Sequence, residues 1–215
     1  MKLYKLQSGA LLNYEDSFYH LGNRNWDKLI NRDNLAEYLR QQADDFESLA
    51  LSDAKNLLSQ ELLLPVGSQE IWAAGVTYYR SRDARVEESK DAGGDSFYDR
   101  VYEAERPELF FKATAQRAVG PGGQVRIRHD STWDVPEPEL TLFINSAGSV
   151  EAYTIGNDMS SRSIEGENPL YLPQAKTYEG CAALGPCLLV RENPLASDTE
   201  IRLEIWRSGQ RVVSE

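Results

Sequence analysis

The stretch W-D-V-P-E-P-E-L-T-L-F-I at 133–144, followed by V-E-A-Y-T-I-G-N-D at 150–158, decides how the centre of this chain folds. Both segments have the pattern of β-strands, and the turn N-S-A-G-S separates them, which predicts a hairpin. If residues 146–149 form the loop, Asn145 pairs with Val150, and Thr141 then lies opposite Thr154 further along the ladder. The hairpin is therefore predicted together with its register.

The predicted register brings three carboxylates to one end of the hairpin. Glu137 and Glu139 are two residues apart, so they share one face of their strand. The register places Glu139 opposite Gly156 and Glu137 opposite Asp158. On the other face it stacks two apolar pairs, which is an independent reason to prefer it; these pairs are Leu140 with Ile155 and Leu142 with Tyr153. Pro138 cannot donate to a ladder and indicates an edge strand.

Carboxylates that face one another either shift their pKa upward or recruit a cation. Ligation by oxygen alone favours Mg²⁺, Mn²⁺ or Ca²⁺ over zinc or copper. The sequence therefore offers Glu137, Glu139 and Asp158 as a candidate site for a hard divalent cation. The alternative is that these acids are ordinary solvated charges on an edge strand.

Composition narrows the classes of protein to consider. The chain has 215 residues, of which 41% are hydrophobic and 27% charged, as in ordinary globular proteins. Its 23 basic and 34 acidic residues give a net charge of -11, which argues against nucleic acid as a partner. No signal-peptide core and no run of about eighteen apolar residues is present, so we expect a cytoplasmic protein without a membrane partner.

Few cysteine and histidine residues are available for catalysis or metal binding. Cys181 and Cys187 are the two cysteines, and their spacing is most simply that of core thiols rather than a disulfide or metal pair. His20 and His129 are the two histidines, and neither lies near a nucleophile-elbow pattern. A zinc site or a Ser/His/Asp triad is therefore not indicated.

Several further elements are predicted along the chain. A helix begins at Asp33 or Asn34 as N-cap, and Pro65 to Ser68 mark a domain boundary. Strands are expected at 71–76 and in L-F-F-K-A-T, and a hairpin at the end of the sequence. Residues 78–105 suggest two helical pieces joined at Gly93-Gly94, either a cover over a site or plain surface structure.

Three motifs together resemble the fumarylacetoacetate hydrolase family: E-P-E-L, then A-Y-T-I-G-N-D-M-S-S-R, then Q-A-K-T-Y-E-G-C-A-A-L-G-P. The resemblance implies an α+β fold, with a small N-terminal α+β domain at 1–66 and a mixed β-roll core at 67–215. It further implies that this core is incomplete at its C-terminus, and that the protein is a homodimer or a higher homo-oligomer. Mg²⁺ or Mn²⁺ is the implied metal, with Ca²⁺ as a possible substitute.

Site residues follow from the same resemblance. It assigns the metal to Glu137, Glu139 and Asp158, and it assigns Lys176 to the family lysine that reaches towards substrate, as base or carboxylate anchor. The family's hydrolases activate water with a histidine and a glutamate, where this chain has Ser81 and Ala84. The resemblance therefore does not supply the water-activating dyad.

A branch without this dyad has similar segments, S-F-Y-D-R-V-Y-E-A-E-R-P-E-L-F-F-K-A-T and S-I-E-G-E-N-P-L-Y-L-P-Q-A-K. It is the 2-keto-3-deoxy-D-arabinonate dehydratase type, which implies a metal-dependent lyase that dehydrates a 2-keto-3-deoxy sugar acid through an enolate. Arg80, Glu87 and Lys112 are candidate substrate-binding residues, and each could equally be a surface charge. The alternatives are an acylpyruvate or fumarylacetoacetate-type C–C hydrolase, an oxaloacetate decarboxylase, or a non-catalytic 2-oxo acid binder.

Overall fold

The computed structural model describes residues 1–75 and 104–214, and β-sheet dominates this part of the chain. The strands are β1 (Lys2–Leu6), β2 (Gly9–Tyr14), β3 (Ser17–His20), β4 (Ser48–Leu49), β5 (Glu70–Ala74), β6 (Leu109–Thr114), β7 (Ala118–Val119), β8 (Asp134–Val135), β9 (Pro138–Ile144), β10 (Val150–Asp158), β11 (Ser160–Ser161), β12 (Ala182–Val190), β13 (Glu204–Arg207) and β14 (Gln210–Ser214). The helices are α1 (Trp26–Ile30), α2 (Leu35–Asp45), α3 (Leu51–Gln60), α4 (Arg162–Glu167) and α5 (Leu172–Lys176). The predicted α+β class is confirmed.

The largest sheet has eight strands in the order β4-β3-β2-β1-β12-β10-β9, with β7 beside β12 in parallel. β1 pairs antiparallel with β12, so strands from both sides of the predicted boundary at residue 66 belong to one sheet. A single apolar core spans the same boundary, because Leu39 of α2 and Leu12 of β2 pack in one cluster with Val190 of β12. The division into two domains stays a prediction.

The helix predicted after Asp33 is confirmed as α2, with Asn34 at its N-cap. Asn34 has a φ of 55° and its side chain makes no capping hydrogen bond. The carboxylate of Glu151, on β10, caps the helix instead, because its Oε2 accepts a hydrogen bond from the Leu35 amide at 2.9 Å. The helix is therefore held to the central hairpin.

The predicted hairpin register is confirmed for most of the β9–β10 ladder. Thr141 lies opposite Thr154, and Glu139 lies opposite Gly156. Beyond the last pair of the ladder, the Asp158 amide donates to the Glu137 carbonyl oxygen at 2.8 Å. β9 is an edge strand of the sheet, as Pro138 indicated.

The predicted register is wrong at the closed end of the hairpin. Val150 pairs with Ile144 rather than with Asn145, because Glu151 is an extra residue that bulges from the ladder. The side chain of Asn145 accepts hydrogen bonds from the amides of Ala147 and Ser149, which makes this residue part of the turn. A side chain that bonds to its own turn therefore displaced the expected pair.

Other predicted elements are found close to their expected places. The strands near residues 71–76 and 109–114 pair with each other as β5 and β6. The final segment forms the hairpin β13–β14 around Ser208 and Gly209, which both have positive φ. The two helical pieces expected between residues 78 and 105 lie almost wholly outside the described residues. Among the helices of the described ranges, none is long and apolar enough to cross a membrane.

Candidate active site

The open end of the β9–β10 hairpin carries the predicted acidic residues. Glu137 comes just before β9, and Asp158 ends β10. The ammonium of Lys176 lies between their carboxylates, hydrogen-bonded to Glu137 Oε2 and 3.0 Å from Asp158 Oδ2. The structure thus brings together three residues that the sequence singled out. Glu139 lies further along the hairpin and lines a cavity of about 500 Å³ together with Asp158.

Lys176 is the last residue of α5, and its side chain is only 1% exposed. Its ammonium also contacts the Ser160 hydroxyl oxygen at 2.5 Å. Ser160 in turn donates to Glu137 Oε2 at 2.6 Å. A buried ammonium needs compensating charge and hydrogen bonds, and here carboxylates and a hydroxyl provide them. The charged lysine is consequently held in one place at the end of the hairpin.

An arginine that the sequence analysis did not select holds the other oxygen of Glu137. Arg162 donates through Nη2 to Glu137 Oε1 at 2.5 Å and through Nη1 to Glu165 Oε2 at 3.2 Å. Arg162 begins α4, whose N-cap Ser161 accepts a hydrogen bond from the Ile164 amide. The motif N-D-M-S-S-R contained Ser160 and Arg162, and the i,i+3 spacing of Arg162 and Glu165 was a further available signal.

The pKa of Glu137 reflects these contacts. Burial acts to raise it, but the ammonium of Lys176 and the guanidinium of Arg162 outweigh burial and, with hydrogen bonds from Lys176 and Ser160, lower it to about 2. Glu137 is therefore ionised throughout the neutral range. A substitution that removes this charge leaves two buried cations without their shared partner.

A Glu137→Gln variant is expected to lose stability in a pH-dependent way. The folded-state pKa of about 2 lies below the ordinary 4.5, so the carboxylate stabilises the fold above pH 4.5 and loses that effect as the pH falls towards 2. The difference corresponds to about 3 kcal/mol at pH 7. Urea unfolding of both proteins measures it at about pH 7 and pH 3.5. If the difference in free energy of unfolding between the two proteins widened as the pH fell, Glu137 would not be a stabilising carboxylate.

The predicted substrate-binding residues are Arg80, Glu87 and Lys112. Lys112 lies in the interior, 1% exposed, with its ammonium 2.6 Å from Asp158 Oδ1. It is therefore not a surface charge, and its substrate-binding role stays a prediction. Arg80 and Glu87 lie outside the described residues. Tyr178, which the sequence analysis did not select, places its ring 5.8 Å from the Lys112 ammonium, and burial raises the pKa of its hydroxyl.

The predicted metal ligands form a donor set of carboxylate oxygens, which suits Mg²⁺ or Mn²⁺. In residues 1–75 and 104–214, however, no three Asp, Glu, His or Cys side chains are grouped closely enough to hold a metal ion. The Glu137 carboxylate accepts three hydrogen bonds, whereas that of Asp158 accepts one from Lys176 and forms an ion pair with Lys112. The residues fit a hard cation by donor chemistry, and two of them, Glu139 and Asp158, line one cavity. Their role as ligands stays a prediction.

Comparison with known proteins identifies related sequences. Residues 71–215 match the model of the fumarylacetoacetate (FAA) hydrolase C-terminal family. A probable 2-keto-3-deoxyxylonate dehydratase of Haloferax volcanii is 47% identical over 184 residues, 85% of this chain and 60% of the relative. A 2-dehydro-3-deoxy-D-arabinonate dehydratase of Saccharolobus solfataricus is 42% identical over 170 residues, 77% of this chain and 56% of the relative. The chain therefore spans less than two thirds of the length of these relatives.

Solved structures of dehydratases have a fold similar to that of this chain. A hexagonal crystal form of 2-keto-3-deoxyarabinonate dehydratase matches with a TM-score of 0.81 and 33% identity, covering 100% of this chain and 76% of the other. A 2-keto-3-deoxy-D-arabinonate dehydratase complexed with magnesium and 2,5-dioxopentanoate matches with a TM-score of 0.80 and 31% identity, covering 100% and 75%. The fold of the described residues is thus similar to that of dehydratases with known structures.

Proposed function

Because this chain belongs to the fumarylacetoacetate hydrolase family, we propose that it is a metal-dependent lyase that dehydrates a 2-keto-3-deoxy sugar acid, such as 2-keto-3-deoxy-D-arabinonate. The observation that carries the proposal is the 47% identity over 184 residues with a relative described as a probable dehydratase of this substrate class. Mg²⁺ is the metal we propose, since a similar structure with this activity is described as a magnesium complex. Mn²⁺ has the same ligand preference.

The reaction removes a proton from carbon 3, next to the 2-oxo group, and the hydroxyl group from carbon 4, and releases them as water. A divalent cation, when bound, supplies the Lewis acid that polarises the 2-oxo group. Glu137, Glu139 and Asp158 are the residues proposed to hold it. Lys176, beside two of them, is proposed either to take the carbon 3 proton or to anchor the substrate carboxylate.

Fixed charges around the hairpin end support this chemistry. Arg162 and Lys176 hold the Glu137 carboxylate from both sides, so its orientation is set before any substrate arrives. Charges fixed in advance can stabilise the negative charge that develops on an enolate, because they need not reorganise during the reaction. The site also lies largely out of water, since Asp158 and Lys176 are 7% and 1% exposed, and this strengthens each electrostatic contact.

The sequence favours dehydration over the hydrolytic alternative. Hydrolysis of a C–C bond needs an activated water, and Ser81 and Ala84 stand where the family's hydrolases have their histidine and glutamate. Dehydration needs a base and an acid but no attacking water. The test must also distinguish three alternatives: a C–C hydrolase, a decarboxylase and a non-catalytic 2-oxo acid binder.

A turnover screen tests the proposal. The protein with Mg²⁺ is expected to dehydrate at least one 2-keto-3-deoxypentonate, and EDTA is expected to abolish the reaction. Acylpyruvates and oxaloacetate are included as alternative substrates, with product formation followed by mass spectrometry. Release of pyruvate from acylpyruvates, with the deoxypentonates untouched, would reassign the chain as a hydrolase. Binding without turnover across the panel would indicate a non-catalytic 2-oxo acid binder.

Homo-oligomeric assembly and a cytoplasmic location stay predictions.

A further inference from the structure

We infer that Lys112 is a positioning residue, which aligns Asp158 and Lys176 from inside the fold, in place of the substrate-binding role predicted from the sequence. Its place in β6 is the first reason. Ala113 pairs with Ile71 and Phe111 pairs with Trp72, so Lys112 is an extra residue between two successive pairs of the β5–β6 ladder. A bulge of this kind redirects a side chain. Lys112 at this bulge is almost completely buried, with 1% of its surface exposed.

Three oxygens surround the Lys112 ammonium. It donates to the backbone carbonyl oxygen of Met159 at 2.7 Å and to that of Lys176 at 2.5 Å, and it forms an ion pair with Asp158 Oδ1 at 2.6 Å. An ammonium has three N–H donors, and the two backbone carbonyl oxygens accept from two of them. All three oxygens belong to the protein, and Lys112 is almost fully buried although it borders the cavity that Glu139 and Asp158 line.

The three contacts join the segments that carry the proposed chemistry. Asp158 and Met159 form the corner after β10, and Lys176 is the last residue of α5. The carbonyl group of a last helical residue has no partner within its helix, and Lys112 supplies one. Lys112 therefore fixes the backbone from which the Lys176 side chain extends, together with the carboxylate towards which that side chain points.

A Lys112→Met variant tests this role by kinetics and by hydrogen exchange. We expect kcat to fall about tenfold or more with KM changed less than about threefold, because the substrate contacts remain while the reacting groups shift. Amide exchange should become faster selectively in residues 157–161 and 172–178. Lys112→Arg keeps the charge but changes its shape, and we expect the same pattern in weaker form. The Arg variant decides the question if the Met variant does not fold.

The matched control is Leu39→Ala, which removes a fully buried side chain of α2 from the apolar cluster that includes Leu12 and Val190. It should lower global stability while leaving kcat per folded molecule and exchange at the two site segments unchanged. A rise in KM of about tenfold with kcat retained would instead make Lys112 a substrate contact. Equal effects of both substitutions on kcat and exchange would reduce Lys112 to a structural residue.

The kinetic measurement rests on the proposed dehydratase function, whereas the exchange measurement does not. If the wild-type protein turns over none of the substrate panel, the proposed function fails, and the exchange patterns of the Lys112 and Leu39 variants still decide whether Lys112 positions these segments. The two failures are therefore distinguishable. Selective exchange with normal turnover in the Lys112 variants would also overturn the inference, because displaced segments would then have no effect on the reaction.

Discussion

Replacing Glu139 by Gln is expected to abolish metal-dependent turnover and to leave the fold intact. The change nearly preserves shape but removes one negative charge from the proposed ligand set, which weakens binding of a hard cation. Glu139 lies at the edge strand opposite Gly156 and is partly exposed, so the loss of its charge has little effect on the core. Stability without added metal should change little, because glutamine has nearly the shape of glutamate and the site is at an edge strand.

The thermal shift on adding Mg²⁺ measures this effect without requiring activity. Ligands that bind the folded state raise its stability according to their affinity, so the Glu139→Gln variant should show a smaller shift than the wild-type protein. Glu192→Gln is a suitable control, because its carboxylate is 61% exposed and pairs with Arg40 at the surface. A wild-type Mg²⁺ shift and wild-type turnover in the Glu139 variant would disprove the metal assignment.

The central hairpin was predictable because two independent patterns agreed on its register. The carboxylates and the apolar pairs lie on opposite faces of the same two strands, and a slip of one residue would exchange those faces. The structure follows this register from Phe143 opposite Ala152 onwards. At the closed end, the bonds that Asn145 makes within its turn and the bulge at Glu151 outweighed simple pairing. The two-residue periodicity of a strand does not predict such local hydrogen bonds.

The acids of the candidate site were predictable from strand spacing and register, whereas the contacts of its cations were not. Glu137 and Asp158 were selected from spacing and register, and Lys176 from a resemblance. The role of Arg162 depends on a turn into a short helix that points its guanidinium back at the hairpin. That of Lys112 depends on a bulge, and L-F-F-K-A-T contains no signal for one. Both cations reach the site through irregular backbone, which residue patterns do not specify.

Replacing Lys176 by Met is expected to reduce turnover by about a hundredfold or more while substrate still binds, as for the loss of a general base or of a fixed charge at the reacting carbons. The variant should also be less stable. Glu137 and Asp158 then lose the cation they share and keep only Arg162 and Lys112, respectively, as ion-pair partners. Steady-state kinetics of the variant, corrected for the folded fraction, measure the loss. A decrease of less than about threefold in kcat would exclude Lys176 from the chemistry.

A second substitution distinguishes the two roles of Lys176. Arginine remains protonated at every working pH, so Lys176→Arg should not restore activity if the lysine acts as a base. The Lys176 ammonium is hydrogen-bonded to Glu137 and Asp158, and a base role therefore requires a bound cation to compete for these carboxylates. If Arg restores most of the activity, Lys176 anchors the substrate carboxylate as a charge, and the base lies elsewhere, with Glu87 the first residue to substitute.

The dependence of kcat on pH gives an independent check, because a guanidinium can also fail to restore activity for lack of space. A base must lose its proton to act, so kcat should rise with pH in the wild-type protein and lose that dependence in the Met variant.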